Sequence, residues 1–147
     1  MYRRPRDEPK DAGKAMAQRT MLFDRRKLTA RTAREFATET LTQWGCGERL
    51  DDIRLCTSEL VTNALLHGAP TDDAILVRVG LHDGQVYVEV HDSGDGMPEQ
   101  RAAQATSVNG RGLLLVSAIA DDWGVATSEV PGKRVWASFK VPTRSPC

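Results

Sequence analysis

Glu59, Asn63 and His67 stand at successive intervals of four in the run SELVTNALLHG, residues 58–68. A helix turns once per ~3.6 residues, so such positions advance only about 40° each, and the three polar side chains share one narrow stripe facing one ligand. A carboxylate and a carboxamide on adjacent turns suit phosphate transfer. Asn63 Oδ1 would ligate Mg²⁺, and Glu59 would accept the proton of an attacking hydroxyl or water. Taken alone, the same spacing also describes the solvated stripe of an ordinary surface helix. A second group is Asp92-Ser-Gly-Asp-Gly-Met-Pro98, in which Gly94 and Gly96 let the backbone approach a flat ligand such as adenine. Asp92 can accept a hydrogen bond from an exocyclic amine and Met97 can lie against a ring, though a strand-ending turn has the same composition. The third is Gly110-Arg-Gly-Leu113, where a loop enters a helix. Free N–H groups, the positive end of the helix dipole and Arg111 could receive phosphate there, or the segment could be a flexible loop and a helix start. The sequence has no GxxxxGK[ST] loop, and no Ser or Cys sits in a nucleophile setting.

Positioning these groups takes elements whose patterns are readable. From Thr29 to Trp44, Ala33, Phe36, Ala37, Leu41 and Trp44 recur at helical spacing, and Gly45 with Gly47 ends the run. A second helix is predicted from about Glu48 to His67, burying Leu50, Ile53, Leu60, Val61 and Ala64 and stopped by Gly68-Ala-Pro70. The period then changes to two. Ile75, Val77, Val79 and Leu81 lead through His82-Asp83-Gly84 into Val86, Val88 and Val90, which reads as an antiparallel hairpin. Residues Glu99 to Asn109 are small and polar and read as a mobile loop. Leu113 to Ala120 read as an apolar helix, and two closing strands flank Val130-Pro-Gly-Lys133. The last strand carries Val135, Ala137, Phe139 and Val141 on one face. The predicted order is helix, helix, strand, strand, loop, helix, strand, strand. It implies an α+β two-layer sandwich: a mixed, mostly antiparallel sheet with helices on one face.

The chain has 147 residues, a length suited to one domain. Residues 1–18 have almost nothing to bury and are expected to form a mobile arm, followed by a domain over 19–143 and a tail at 144–147. Twenty Lys and Arg balance 20 Asp and Glu, which disfavours direct nucleic-acid binding. No apolar run approaches the ~20 residues needed to cross a bilayer, and no apolar region follows the basic N-terminus as in a secretory signal. The expected location is the cytoplasm. Cys46, Cys56 and Cys147 are odd in number and form no CxxC pair, which argues against a disulfide framework or zinc site.

In order and spacing, ELVTNALLHG at 59–68, DSGDGMP at 92–98 and GRGL at 110–113 resemble the N-box, G1 box and G2 box of the ATPase superfamily of gyrase, MutL, ninety-kilodalton heat-shock chaperones and histidine kinases. The resemblance runs from about Thr20 to Pro142, and SELVTNA is especially similar to bacterial anti-sigma-factor serine kinases. It implies a histidine-kinase-type ATPase fold that binds ATP and Mg²⁺, with Asn63 ligating Mg²⁺, Glu59 as general base and Asp92 reading the adenine amine. Gly94 and Gly96 would shape the adenine floor, with Met97 against the ring. Gly110, Arg111, Gly112 and Leu113 would wrap the phosphates, Glu99 to Asn109 would form a lid, and His67 would support the phosphate region. The implied function is transfer of the γ-phosphate to a Ser or Thr of a small antagonist protein, with capture of a sigma factor, by a chain that could be a homodimer. The alternative is a nucleotide-gated binding module without kinase turnover, in which ATP only orders the lid.

Overall fold

The Thr29 hydroxyl accepts the Arg26 N–H at 3.1 Å and donates to the Asp24 carbonyl, which braces the bend from β1 (Ala17–Asp24) into α1 (Thr29–Trp44). The far end of α1 closes as its sequence predicts. Gly45 takes φ 72°, its N–H donates to Thr42 O at 3.2 Å, and the Cys46 N–H donates to Leu41 O at 2.9 Å. That pair of bonds is a Schellman closure, and the left-handed residue in it favours glycine. The computed structural model describes residues 4–7, 16–67, 74–92, 111–127 and 133–142.

The second helix, α2 (Leu50–His67), buries Ile53, Cys56, Thr57, Leu60, Val61 and Ala64. It starts two residues after the predicted Glu48, because the Leu50 N–H first closes a tight turn onto Gly47 O at 3.2 Å. At its other end Arg25 Nη2 donates to Ala64 O at 2.9 Å and Leu65 O at 2.8 Å. Helix C-terminal carbonyls have no partner inside the helix, so this guanidinium secures the turn that carries Asn63 and His67.

The remaining elements are β2 (Ala74–His82), β3 (Gln85–Asp92), α3 (Arg111–Ile119), β4 (Asp122–Thr127) and β5 (Lys133–Lys140). The sheet runs β1-β2-β3-β5-β4 and every described pairing is antiparallel, with none of the parallel pairs that a mixed sheet would contain. Asp83 at φ 49° and Gly84 at φ 74° form the two-residue turn between β2 and β3 that Asp-Gly favours. The predicted order lacks β1. That strand is an edge, with Met21 40 % and Leu22 66 % exposed, so no clean alternation of apolar and polar residues marks it.

Helices cover one face of the sheet. There α1 packs on β1 and β2, α2 on β3 and β5, and α3 on α2 and β4. Val77, Val79, Val86, Val88, Val90, Val135, Ala137 and Phe139 form the sheet side of this core. The opposite face carries Tyr87 and Trp136, whose ring centroids are 6.4 Å apart, and a buried Glu89 held by Arg78 and His91 at 3.1 Å each. Arg6 lies against β4: its N–H donates to Trp123 O at 2.8 Å and its guanidinium meets Asp122 Oδ1 at 2.9 Å. Cys56 is a free thiol in the core, whereas Cys46 is disulfide-bonded, against the expectation that the odd count and the lack of a CxxC pair gave. The expected tail at 144–147 lies outside the described residues.

Candidate functional site

The polar stripe of α2 runs from the edge of the helix layer into it. Glu59 is half-buried, and Asn63, one turn on, is buried at 6 % exposure. The 40° advance per four residues turns the stripe toward the core, which a solvated surface stripe would not do. His67 is the last residue of α2, and its side chain falls outside the described part. Beside the stripe lies Cys56. Burial first, and then the charges of Asp52 and Glu59, push its thiol up to about 12. A thiol so protonated is packing material rather than a nucleophile.

Asp92 ends β3. It falls in phase with Val86, Val88 and Val90, so it faces the helices, and it is buried at 5 % exposure. Its partner across the β3–β5 pairing is Lys133, buried at 2 %. Sequence reasoning missed Lys133. The signal was present, because counting back by two from Phe139, Ala137 and Val135 puts Lys133 on the same inward face. Gly94, Gly96, Met97, Gly110 and the lid from Glu99 to Asn109 lie outside the described residues, as does the side chain of Arg111, and Gly112 is described in its backbone, within α3. Leu113 is described, at 1 % exposure, and packs in the core with Val116 and Ala120.

The described parts of the three motifs, the end of α2, Asp92 and the start of α3, lie toward one end of the molecule. Arg25, directly after the end of β1, holds the last turn of α2, and Asp24 pairs with Ala74 at the start of β2. The same sheet end holds Asp92 at the close of β3 and Lys133 at the opening of β5. At the opposite end Arg49 gathers the other termini. Its Nη1 meets Asp121 Oδ2 at 2.9 Å and Lys140 O at 3.3 Å, its Nη2 meets Ile119 O at 3.1 Å, and its Nε meets Asp52 at 2.9 Å. Because α3 packs along α2 and its last residue, Ile119, is held beside the start of α2, the backbone of α3 begins on the side toward the end that carries Asn63. Burial penalises the charge of Arg49, but its bonds to Asp52 and Asp121 outweigh this and raise its pKa.

The donor set at the Asn63 end is carboxylate and carboxamide oxygen, the hard chemistry that suits Mg²⁺. Among the described residues no group of three or more His, Cys, Asp or Glu is arranged to hold a metal. A cation held by one carboxamide and otherwise by phosphate oxygens would fit such a site, since Mg²⁺ takes few protein ligands beside substrate phosphates.

The family model described as Histidine kinase-like ATPase domain matches residues 23–139. An anti-sigma F factor of Clostridium perfringens is 26 % identical over 106 residues, 65 % of this chain and 76 % of that protein. One from Geobacillus stearothermophilus is 36 % identical over 59 residues, 39 % of this chain and 40 % of its own length. One from Clostridium botulinum is 33 % identical over 54 residues, so the match spans only 35 % of this chain and 38 % of that relative. Among solved structures, the mycobacterial sensor histidine kinase MprB aligns over 86 % of this chain and 100 % of that chain, at 15 % identity and a TM-score of 0.49. No helix among the described residues is long and apolar enough to cross a membrane.

Proposed function

We propose, from the premise that the chain belongs to the histidine kinase-like ATPase domain family, that it is an ATP-binding regulator. In this reading it transfers the γ-phosphate to a Ser or Thr of a small antagonist protein and sequesters a sigma factor. One observation carries the reading: two polar side chains, Asn63 on α2 and Asp92 on β3, are buried at the end of the fold toward which α3 opens. A buried carboxylate offers an acceptor to an amine of the ligand, and a buried carboxamide offers an oxygen to a cation on its phosphates, so the two together suit a nucleotide. Similarity to anti-sigma F factors favours a protein substrate over a free hydroxyl compound.

Asp92 accepts the exocyclic amine of adenine, and Asn63 Oδ1 offers a ligand to Mg²⁺. The metal, when bound, supplies charge neutralisation at the phosphate oxygens. Glu59, half-buried at the rim of the stripe, accepts the proton of the substrate hydroxyl, which a fully buried carboxylate could not reach. In this reading the free N–H groups of the first turn of α3 receive phosphate, and Arg111 adds its charge there.

The test is calorimetric titration with ATP and ADP, with and without Mg²⁺. The expected result is binding that tightens with Mg²⁺, with Asn63→Ala removing the Mg²⁺-dependent gain while its melting curve stays cooperative. No binding by folded protein at millimolar nucleotide would refute the reading.

A further inference from the structure

Lysine is almost never fully buried unless it is paired. Lys133 is 2 % exposed, whereas Lys140, at the other end of the same strand, is exposed. The β3–β5 register puts Lys133 directly opposite Asp92, itself 5 % exposed, on the helix-facing side of the sheet. Residues opposed in this way have Cβ atoms about 4.5–5.5 Å apart, well within reach of a lysine side chain. Two opposite charges buried side by side offset each other's desolvation, while either alone would be a strongly unfavourable buried charge.

Resting on the nucleotide-binding reading above, we propose that Lys133 is a specificity-determining residue of the site, the hydrogen-bond donor that reads a purine beside the acceptor Asp92. A carboxylate has about four lone-pair directions and an ammonium three N–H groups, so the two can bond to each other and still each serve a ligand. On the edge of adenine the exocyclic amine, a donor, adjoins N1, an acceptor. An acceptor and a donor standing side by side on neighbouring strands complement that edge: Asp92 takes the amine and Lys133 gives to N1. A base lacking either atom leaves a buried charged group without its bond, which is how polar sites discriminate most strongly.

Calorimetry of the full chain with ATP, 1-deaza-ATP, in which N1 is a C–H, and purine riboside triphosphate, which lacks the amine, tests this. Wild-type protein should bind 1-deaza-ATP about 10- to 100-fold more weakly than ATP, the worth of one hydrogen bond from a charged donor. In Lys133→Met, checked for cooperative melting, that ratio should collapse toward unity while the preference for ATP over purine riboside triphosphate persists. Lys133→Arg should restore part of the N1 preference. An ion pair serving only the fold would leave the ratio unchanged in folded Lys133→Met, and that result overturns the proposal. Equal wild-type affinities for ATP and 1-deaza-ATP overturn it without any variant having to fold. In both cases ATP still binds and the nucleotide-binding reading stands, whereas failure of wild-type protein to bind ATP at all removes both.

Discussion

Replacing Arg49 with alanine should cost about 2–4 kcal/mol of folding free energy. The guanidinium bonds Asp121 at 2.9 Å and the Ile119 carbonyl at 3.1 Å, and lies 5.5 Å over the Phe139 ring. Its side chain is 25 % exposed and that of Asp121 31 %. A hydrogen bond to a charged group contributes ~1.5–3 kcal/mol, which partial exposure pulls to the lower end, and a cation over an aromatic face adds ~0.5–1. The bond to Asp52, 45 % exposed, adds little. For a chain of this length the loss corresponds to a melting temperature lower by roughly 10 °C. Urea unfolding is the assay: the midpoint should fall with the slope unchanged, as for a change in stability rather than in exposed surface. A cycle with Asp121→Ala should return a coupling of about 0.5–3 kcal/mol, as for contacting residues. A loss below about 1 kcal/mol, or zero coupling, would refute Arg49 as the tie between α2, α3 and β5. Because Arg49 stands at the end remote from Asn63, the folded fraction should keep its ATP affinity.

At Gly124 an added Cβ would meet Arg6 O at 1.9 Å and Trp136 Nε1 at 2.9 Å. Gly124→Ala should therefore push Arg6 off β4, measured as faster tryptic cleavage after Arg6, and an unchanged rate would count against that contact. Burial raises the Asp121 pKa, but the Lys140 N–H at 2.6 Å and the Arg49 guanidinium outweigh it and hold the carboxyl below the usual carboxylate value. A depressed carboxylate stabilises the fold above its unfolded pKa of ~3.9 and loses that contribution as pH falls through its folded value. Urea midpoints of wild type should thus fall in acid more than those of Asp121→Asn. Glu59→Gln should abolish phosphate transfer while leaving calorimetric ATP affinity in place, and transfer persisting in this variant would remove Glu59 from the base role.

What the sequence shows best is what repeats. Both long helices, the β2–β3 turn and the inward faces of β2, β3 and β5 follow from periodicity and from Gly45 and Asp83-Gly84, because burial on one face forces apolar residues to recur. The edge strand β1 escapes since little of it is buried: of its inward side only Ala17, Arg19 and Phe23 are partly covered. At the site, the types and spacing of Glu59, Asn63 and Asp92 were legible. The burial of Asn63 was not, because it depends on how α2 rolls against the sheet. Lys133 escaped for a different reason, since a lysine opening a strand ordinarily reads as exposed. Its place opposite Asp92 is set by the β3–β5 register, across 41 residues of chain (133 minus 92), which no local pattern shows.

The arrangement also separates what stabilises the fold from what would bind the ligand. Arg49 collects Asp52, Ile119, Asp121 and Lys140 at one end, so the start of α2, the end of α3, the approach to β4 and the end of β5 are fixed there by charge and hydrogen bonds among themselves. At the other end Arg25 ties down the last turn of α2, and among the described residues the buried charges on the helix-facing side there are Asp92 and Lys133. Preorganised polar groups act on a ligand only if the elements that bear them do not shift when it arrives. A clamp at the far end, in contact with both α2 and α3, meets that requirement without occupying space the ligand needs. The consequence is a sharp contrast between variants: loosening Arg49 should lower stability and spare ATP affinity, whereas Asn63→Ala should lower Mg²⁺-dependent affinity and spare cooperative unfolding. If the two variants failed in the same way, the two ends would not be separable, and the case for a ligand site built apart from the stabilising clamp would fall.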